Sequence, residues 1–295
     1  NYGMAAGLEA EAVGFGALHA TEASKNLIGL FMAMQDNKKL KNNNKTENVD
    51  ALTMIGAGFM GAGIAEVSIK NGYDVTLKDI SEQGLASALK TVWSDFSKMV
   101  KKKAMGAVER DRLMSKIKTT TKDEDINSSD LIIEAVAERM DIKKSVYDMV
   151  EDYIAEDAIF TTNTSGLSIN ELASVLPDSL QSKFCGVHFF NPPRYMHLVE
   201  IIPTNNTNPQ VVSDLEAVLT MVVGKGVIIA KDTPNFIANR IGVFSIVSTM
   251  HHGAAFGVPF ETIDALTGVL IGRPKSATFR TADVVGLDTL AHTIT

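Results

Sequence analysis

Short apolar runs alternate with longer amphipathic stretches along most of the chain. Seven runs have the length and composition of buried strands: Leu52–Ile55, Val75–Leu77, Leu131–Val136, Ala158–Thr161, Gly186–Phe190, Leu198–Ile202 and Val227–Ala230. The spacing of apolar residues predicts helices between most of them, notably Gly61–Asn71, Glu82–Lys103, Lys143–Ile154 and Val211–Val223. Strands separated by helices are typical of a parallel sheet covered on both faces. The pattern therefore predicts an α/β fold with a mostly parallel sheet.

The strand pattern stops after Asp232-Thr233-Pro234. Phe236–Phe256 and Phe260–Gly268 instead have helical spacing, with proline and glycine only at their margins. We expect a smaller all-α domain here, with its last helix cut off. At the other end, helical spacing over 8–40 and a polar run over 35–45 predict a helix followed by a solvated linker. The chain thus divides into three predicted segments: a helix with its linker (1–48), a sheet domain (49–232) and a helical domain (233–295).

The segment 82–117 is too long for one crossover helix. Met105-Gly106 interrupts it, so we expect a pair of helices that projects from the sheet. This pair carries a cluster of lysines: Lys98, Lys101, Lys102 and Lys103. The cluster is consistent with a solvated face and equally with a clamp for phosphate groups.

A glycine-rich string, Gly56-Ala57-Gly58-Phe59-Met60-Gly61, lies between the first predicted strand and a helix. In such a string Gly56 permits a tight turn, Gly58 lets the backbone approach a pyrophosphate, and Gly61 lets the helix pack closely. The helix N-terminus also attracts a diphosphate. Asp79 follows Gly58 by 21 residues and would bind ribose hydroxyls while repelling a 2′-phosphate. The arrangement favours a Rossmann-type dinucleotide site over a glycine turn without a ligand. Within such a site it favours NAD over NADP.

One histidine has a candidate partner for acid–base chemistry. His188 lies near the end of an apolar run, and Glu200 follows it by 12 residues inside another. A buried carboxylate is costly unless it is paired, and a neighbouring imidazole is the obvious partner. The pair suits a general base that works near neutral pH. With Ser165 it would also resemble a hydrolase triad, but Ser165 does not lie in a G-x-S-x-G elbow.

Composition narrows the functional classes. The chain is 45% hydrophobic and 21% charged, with a net charge of −7, which argues against general nucleic-acid binding. Its single cysteine, Cys185, forms no internal disulfide and builds no metal site alone, so we expect a reducing compartment and no metal. No apolar run approaches a membrane span, and the first residues lack a signal-peptide pattern. We interpret the chain as a piece of a longer protein.

Several motifs occur in the order that one enzyme family has them: Gly56-Ala57-Gly58-Phe59-Met60-Gly61, Glu134-Ala135-Val136-Ala137-Glu138, Asn163-Thr164-Ser165, His188-Phe189-Phe190-Asn191-Pro192, and Asp232-Thr233-Pro234 with Asn239-Arg240. Over residues 50–295 they resemble the L-3-hydroxyacyl-CoA dehydrogenase family. Residues 1–40 resemble the helix that joins the enoyl-CoA hydratase half to the dehydrogenase half in multifunctional fatty-acid oxidation enzymes. The chain is therefore similar to the dehydrogenase segment of such an α-subunit.

The resemblance implies a role for individual residues. His188 matches the catalytic base and Glu200 its orienting partner. Ser165 and Asn239 match contacts to the hydroxyl and thioester region of the substrate. Because Asp95 replaces a serine that touches CoA in the family, the contact to CoA is expected at Lys102. The residues that match cofactor contacts are Gly56, Gly58, Met60, Gly61, Asp79, Val136, Ala137, Glu138, Lys143, Ser165 and Asn191. Asn191 also matches a position near the substrate.

The resemblance implies oxidation of L-3-hydroxyacyl-CoA to 3-ketoacyl-CoA with NAD, in fatty-acid β-oxidation. It further implies a missing hydratase half, a thiolase subunit as partner, and the bacterial cytoplasm, the mitochondrial matrix or the peroxisome as location. Two positions depart from the family: Asn235 replaces a glycine, and Asp95 replaces a serine that touches CoA. A Rossmann dehydrogenase of free 3-hydroxy acids and a non-catalytic NAD-binding scaffold are the alternatives.

Overall fold

The computed structural model of this chain describes residues 3–39 and 49–294, which belong to two compact units, 1–45 and 46–295. The first unit consists of α1 (Gly3–His19) and α2 (Glu22–Lys39). The expected polar end of the helical pattern at residue 35 is wrong, because α2 continues to Lys39. Glutamine and lysine are good helix formers, so polarity alone does not end a helix. The predicted linker over residues 40–48 lies outside the described residues.

The second unit is built around one sheet. Its strands are β1 (Ala51–Ile55), β2 (Asp74–Lys78), β3 (Ile117–Thr120), β4 (Leu131–Glu134), β5 (Ile159–Thr162), β6 (Phe184–Phe189), β7 (Leu198–Pro203) and β8 (Gly226–Ile229). Its α-helices are α3 (Phe59–Lys70), α4 (Glu82–Lys101), α5 (Ala107–Met114), α6 (Met140–Tyr153), α7 (Ile169–Ser174), α8 (Asp178–Gln181), α9 (Pro209–Ala217), α10 (Ala238–Ala255), α11 (Phe260–Thr267), α12 (Phe279–Val285) and α13 (Leu287–Ile294). A π-helical turn, Val218–Val222, extends α9. Within the described residues, no helix combines the length and the apolar character needed to cross a bilayer.

The strand order is β3-β2-β1-β4-β5-β6-β7-β8. All neighbouring pairs are parallel except β6 and β7, which run antiparallel. The first six positions follow the doubly wound order of dinucleotide-binding sheets, whose ligands bind at the carboxyl ends of the strands. The predicted α/β architecture is confirmed. The division of this unit at residue 232 stays a prediction.

Alternation along the strands explains why both sheet faces are covered. In β4, Leu131 and Ile133 belong to one cluster of buried apolar residues, and Ile132 belongs to a second one. Successive side chains of a strand point to opposite faces, so a strand covered on both sides must be apolar throughout. Helix α4 covers the first face with Val92 and Phe96, which are both buried.

Three predicted boundaries are corrected by the structure. The expected helical pair ends at Met114 and not at residue 117, and residues 117–120 form an edge strand, β3, that was not predicted; an edge strand buries only part of its length and so lacks a strong apolar pattern. Strand β4 ends at Glu134 and not at Val136, because Glu134 Oε1 accepts a hydrogen bond from Val136 N at 2.7 Å and turns the chain. Helix α10 begins at residue 238, since Asn235 and Phe236 have positive φ angles of 65° and 50°.

Two glycines in the turn between β1 and α3 are fixed by backbone contacts. Gly56 has a φ of 100°, and a Cβ there would lie 2.7 Å from the carbonyl oxygen of Ala135. A Cβ on Gly61 would lie 1.8 Å from the carbonyl oxygen of Gly56, which no nonbonded pair tolerates. Gly58 differs, because its φ is −68° and a Cβ there would meet no heavy atom within 4 Å. The fold therefore requires Gly56 and Gly61 but not Gly58.

We predict that Gly61→Ala destabilises the fold by about 3 kcal/mol or more, because the clash is with backbone that cannot rotate away. Gly58→Ala is the matched control, and its stability should stay within about 0.5 kcal/mol of the parent. Urea unfolding followed by circular dichroism measures both changes. Equal stability of the two variants would contradict the packing role assigned to Gly61.

Candidate functional site

The candidate site lies at the carboxyl edge of the parallel strands. Most of the residues singled out from the sequence follow strand ends: Gly56–Gly61 follow β1, Asp79 follows β2, Val136–Glu138 follow β4, Ser165 follows β5 and Asn191 follows β6. Because parallel strands point the same way, their ends meet at one edge of the sheet. The fold thus brings together residues that are more than a hundred positions apart in the chain.

The turn between β1 and α3 has the geometry that a dinucleotide requires. Gly58 is the N-cap of α3 and is exposed, with open space where its Cβ would be. The first turn of α3 carries no acidic residue, so no carboxylate in that turn opposes an anion at its free N–H groups and positive dipole end. These features fit a bound pyrophosphate at the positions that the sequence predicted.

Asp79 is held at the mouth of this turn by backbone hydrogen bonds. Its Oδ2 accepts from Ala57 N at 2.7 Å, and its Oδ1 accepts from Ser81 N at 3.0 Å. Each carboxylate oxygen has two lone pairs, so one on each oxygen remains for a ligand hydroxyl. Asp79 therefore orients the glycine turn and can accept a hydrogen bond from a ribose.

His188 and Glu200 face each other across the antiparallel pair β6 and β7. They are register partners, and His188 Nδ1 lies 2.8 Å from Glu200 Oε2. His188 is 4% exposed and Glu200 is fully buried. The rings of Phe190 and Phe236 flank the imidazole, with centroids at 4.3 and 5.6 Å. The pair expected from the sequence is therefore present, and the hydrogen bond leaves Nε2 as the ring atom for chemistry.

The second oxygen of Glu200 caps the start of α10. Glu200 Oε1 accepts hydrogen bonds from Ile237 N at 3.0 Å and from Ala238 N at 2.8 Å. Burial raises the pKa of this carboxyl, but the hydrogen bonds from His188 and the two amides outweigh burial and lower the pKa below its ordinary value. Glu200 is thus an ionised carboxylate near neutral pH, and it fixes the helix that carries Asn239.

Asp232 attaches the segment before α10 to the site. Its carboxylate accepts hydrogen bonds from Ser168 Oγ at 2.8 Å, from Ile169 N at 3.0 Å, and from Asn170 N and Nδ2 at 2.8 and 2.7 Å. These donors lie at the start of α7, shortly after Ser165. Asp232 therefore holds the approach to α10 against the loop that follows β5.

Glu138 organises the loop that contains Ser165. Its Oε1 accepts from Thr164 Oγ1 at 2.5 Å, from Ser165 N at 2.8 Å and from Gly166 N at 3.3 Å. Its other oxygen lies 3.4 Å from Lys143 Nζ. The backbone of Ser165, an exposed residue, therefore has a defined place at the edge of the sheet.

Lys143 lies beneath this loop, and its side chain is only 1% exposed. Its Nζ donates to both oxygens of Glu134 at 2.8 Å and lies 3.3 Å from Thr162 Oγ1. The sequence-based expectation was a cofactor contact at Lys143. In this structure its ammonium group is surrounded by Glu134, Thr162 and Glu138, and the contact to the cofactor stays a prediction.

The remaining predicted residues divide between the edge of the sheet and a separate cavity. Asn191 and Ala137 are exposed at the edge, and Met60, Val136 and Asn239 are half-buried. Lys102 lies elsewhere, in the lining of a cavity of about 480 Å³ between α3, α4 and the segment after β6. The structure therefore places Lys102 in this cavity and not among the residues that follow the strand ends.

Sequence reasoning missed several residues that hold this site together. Asn163 Oδ1 accepts a hydrogen bond from Phe189 N at 2.8 Å and so joins the ends of β5 and β6. Glu134, Thr162 and Asp232 were not assigned a role either. A charged or polar residue at the end of an apolar run was the available signal for Glu134 and Thr162. Asp232 gave no such signal, because its partners lie 62 to 64 residues away.

Comparison with known proteins agrees with this geometry. Residues 51–233 match the family described as 3-hydroxyacyl-CoA dehydrogenase, NAD binding domain. The chain is 38% identical over 264 residues to a probable 3-hydroxyacyl-CoA dehydrogenase of Bacillus subtilis, and the match covers 83% of this chain and 33% of that protein. It is 35% identical over 294 residues to the fatty acid oxidation complex subunit alpha of Pseudomonas aeruginosa, covering 99% of this chain and 40% of the subunit.

A comparison with solved structures also finds a hydroxyacyl-CoA dehydrogenase. The (S)-3-hydroxybutyryl-CoA dehydrogenase of Ralstonia eutropha superposes with a TM-score of 0.78 at 30% identity, covering 83% of this chain and 86% of that one. The matched family domain binds NAD, so NAD is the cofactor of this site, as the glycine turn predicted. The chain spans a third to two fifths of the two curated relatives, whose alignments cover 33% and 40% of their length.

The hydrogen bonds of Glu200 lead to a prediction about acid stability. Its pKa is lowered on folding, so its contribution is complete above its ordinary value of 4.5 and is lost as the pH falls through the lowered value. Glu200→Gln should therefore be about 1.5–3 kcal/mol less stable than the parent near pH 7, with a gap that shrinks below pH 4.5.

Urea unfolding across this pH range measures the gap. Glu156→Gln, which removes an exposed carboxylate, is the matched control and should show little difference at any pH. A constant gap between parent and Glu200→Gln down to pH 3, well below the ordinary pKa of 4.5 for this carboxyl, would be inconsistent with an ionised, hydrogen-bonded Glu200.

Proposed function

We propose that this chain, which belongs to the 3-hydroxyacyl-CoA dehydrogenase family, oxidises the 3-hydroxyl group of an L-3-hydroxyacyl-CoA to a ketone, with NAD as the hydride acceptor. The buried pair of His188 and Glu200 carries the proposal, because its Nδ1 and Oε2 atoms lie 2.8 Å apart beside the edge that fits a dinucleotide. Removal of a hydroxyl proton requires a base held in this manner. The names of the relatives favour an acyl-CoA as the substrate class.

His188 is the proposed general base. Its Nδ1–H donates to Glu200, which fixes the tautomer whose lone pair is on Nε2. Nε2 takes the hydroxyl proton, and the ring becomes positively charged beside the buried carboxylate, which stabilises the imidazolium. Bound NAD supplies the acceptor for the hydride that leaves C3. In the reverse reaction the imidazolium returns its proton to the oxygen, so one pair serves both directions.

Ser165, Asn239 and Asn191 are the proposed contacts to the reacting part of the substrate. Ser165 and Asn239 would bind the hydroxyl and thioester region, and Asn191 would lie near the nicotinamide and the substrate. The support for Ser165 is the backbone anchoring by Glu138, and for Asn239 it is the capping of α10 by Glu200. Donors with fixed positions bind a developing oxygen charge more strongly than mobile ones.

Lys102 is the proposed contact to CoA, through the phosphate groups. The cavity of about 480 Å³ that it lines also contains Lys98, and both lysines come from the helical pair. Asp95 replaces a serine of the family, and we do not assign it a contact to CoA in this chain. Its carboxylate pairs with Lys98 at 2.8 Å and with Arg194. The phosphate contact therefore rests on the lysines.

The longer relatives suggest a wider context. We propose that the chain acts in fatty-acid β-oxidation as the dehydrogenase segment of a multifunctional α-subunit, next to an enoyl-CoA hydratase half and together with a thiolase subunit. The support is the alignment with the fatty acid oxidation complex subunit alpha, which covers 99% of this chain. The proposed location is the bacterial cytoplasm or, in a eukaryote, the mitochondrial matrix or the peroxisome.

The position of Asp79 predicts that NAD is used in preference to NADP. A 2′-phosphate would meet a carboxylate that Ala57 N and Ser81 N hold in place. A hydrogen bond to a charged group is worth about 1.5–3 kcal/mol, so kcat/KM should favour NAD by roughly 10-fold to 100-fold. Asp79→Ala should narrow this ratio, mainly by weakening NAD.

Steady-state kinetics with both cofactors measure the ratio for the parent and the variant. Asp74→Ala removes an exposed carboxylate at the other end of the same strand and serves as the control. Equal values of kcat/KM for NAD and NADP in the parent would refute the selectivity assigned to Asp79.

The sharpest test concerns His188. General acid–base catalysis typically contributes about 10²–10⁴-fold, so His188→Gln should lose that much kcat while still binding NAD. Glu200→Gln should also lower kcat and leave NAD affinity nearly unchanged. The measurement is NADH production from (S)-3-hydroxybutyryl-CoA, with NADH binding by fluorescence in parallel.

His251→Gln, an exposed histidine of α10, is the matched control and should keep the parental rate. A His188→Gln variant that binds NAD and retains more than about a tenth of the parental kcat would place the base elsewhere. Faster oxidation of free 3-hydroxybutyrate than of its CoA thioester would favour a free hydroxy acid as the substrate.

A further inference from the structure

The loop between β6 and β7, residues 190–197, begins two positions after His188 and carries Asn191. We call it the β6–β7 loop. Most of its residues are exposed, including Asn191 and Tyr195. A loop of this kind has no strand partner to fix its path, so its position depends on side chains that reach it from other elements. Two basic residues make contacts of this kind: Arg194 reaches from the loop to two helices, and Lys225 reaches the loop from the segment before β8.

Arg194 fastens the loop to two helices. Its guanidinium pairs with Asp95 on α4, and lies 3.6 Å from the carboxylate of Glu66 on α3. Burial raises the pKa of Asp95, but hydrogen bonds from Lys98 and Arg194 outweigh this and lower it, so Asp95 is ionised. One guanidinium nitrogen, Nη1, makes both contacts, so Arg194 ties the loop to α3 and α4 at a single point.

Lys225 fastens the backbone of the same loop from the other side. It is 8% exposed, and its Nζ donates to the carbonyl oxygens of Pro193 and of Met196, the latter at 2.7 Å. The residue follows the π-helical turn Val218–Val222 and Gly224, whose φ is 71°. π-Helical turns are rare and occur frequently at functional sites.

A buried lysine that bonds to neutral carbonyl groups is an expensive way to close a loop. Burial lowers the pKa of Lys225, which means that its ammonium form is disfavoured at this position. An apolar side chain would fill the same space at lower cost, but it would leave the carbonyl oxygens of Pro193 and Met196 without this donor. The contact thus specifies the path of the loop, and packing alone does not account for it.

We infer that Arg194 and Lys225 are positioning residues that together hold the β6–β7 loop so that Asn191 lies beside His188. Arg194 sets the distance of the loop from α3 and α4, and Lys225 sets its backbone path. Pro193 completes the clamp, since a Cβ on Gly63 of α3 would lie 3.0 Å from its ring. The inference rests on the proposed function, because the role of Asn191 as a contact to the nicotinamide and the substrate is part of that proposal.

The test compares Arg194→Gln and Lys225→Met with two matched controls on exposed positions of other helices, Arg112→Gln and Lys144→Met. Amide hydrogen exchange over residues 190–197 reports the order of the loop. Binding of NADH and of ADP-ribose, which lacks the nicotinamide, separates the two ends of the cofactor. The rate with (S)-3-hydroxybutyryl-CoA reports the reaction.

We expect faster exchange in the β6–β7 loop of both variants and unchanged exchange in both controls. A displacement of about 1 Å costs on the order of 10²-fold in rate, so kcat should fall roughly 10-fold to 100-fold. NADH affinity should fall, while ADP-ribose affinity stays within about twofold. Arg194→Lys should recover part of kcat, because it restores the charge without the planar fork.

A double-variant cycle isolates the ion pair. If Asp95 acts through Arg194, the combined Arg194→Gln and Asp95→Asn variant loses no more kcat than Arg194→Gln alone. Losses that simply multiply would overturn the ion pair as a unit. Unchanged loop exchange, or faster exchange with parental kcat and parental NADH affinity, would overturn the clamp.

Failure of the proposed function has a different signature. A parent protein that binds NADH but does not oxidise the CoA thioester would refute the proposed reaction. The positioning role of Arg194 and Lys225 would then be tested by the hydrogen-exchange data and by the difference between NADH and ADP-ribose binding. Faster exchange with a selective loss of NADH affinity would sustain it, and parental values of both would refute it.

Discussion

The buried carboxylate of Glu200 is the interaction on which the geometry of the site depends. Removing an ionised carboxylate from water costs several kcal/mol unless a partner and hydrogen bonds compensate. Here one oxygen is hydrogen-bonded to His188, and the other accepts hydrogen bonds from Ile237 N and Ala238 N. The same charge therefore orients the imidazole and caps the first turn of α10. A change in either contact would alter the other, so the imidazole and the helix that carries Asn239 are positioned together.

Other carboxylates order the neighbouring loops in the same way. Three carboxylates accept hydrogen bonds from backbone N–H groups: Asp79 from the glycine turn, Glu138 from the loop after β5, and Asp232 from the start of α7. Loops at a sheet edge contain backbone N–H groups that lack a strand partner, and such groups require an acceptor. A carboxylate supplies several acceptor sites at one point. The acidic residues therefore fix backbone positions, and the exposed residues of these loops take their places from that backbone.

The fold was largely predictable, because its signals are local. Apolar runs gave the positions of β1, β2, β4, β5, β6, β7 and β8, and Met105-Gly106 gave the break between α4 and α5. The errors lie where tertiary contacts override local pattern. β3 is an edge strand with partial burial, and Glu134 ends β4 by bonding to Val136 N. Positive φ angles at Asn235 and Phe236 delay α10, although the sequence around them has helical spacing.

The sequence by itself determined the dinucleotide site and the pairing of His188 with Glu200. A glycine turn acts through backbone geometry within a few residues, and an acidic residue in an apolar run needs a partner wherever the chain supplies one. Only the tertiary structure decided that Lys143 is enclosed by Glu134 and Thr162, and that Asp232 reaches Asn170 across 62 residues. These partners are set by which strand ends lie side by side. That order arises from the packing of the whole sheet, and no short stretch of sequence contains it.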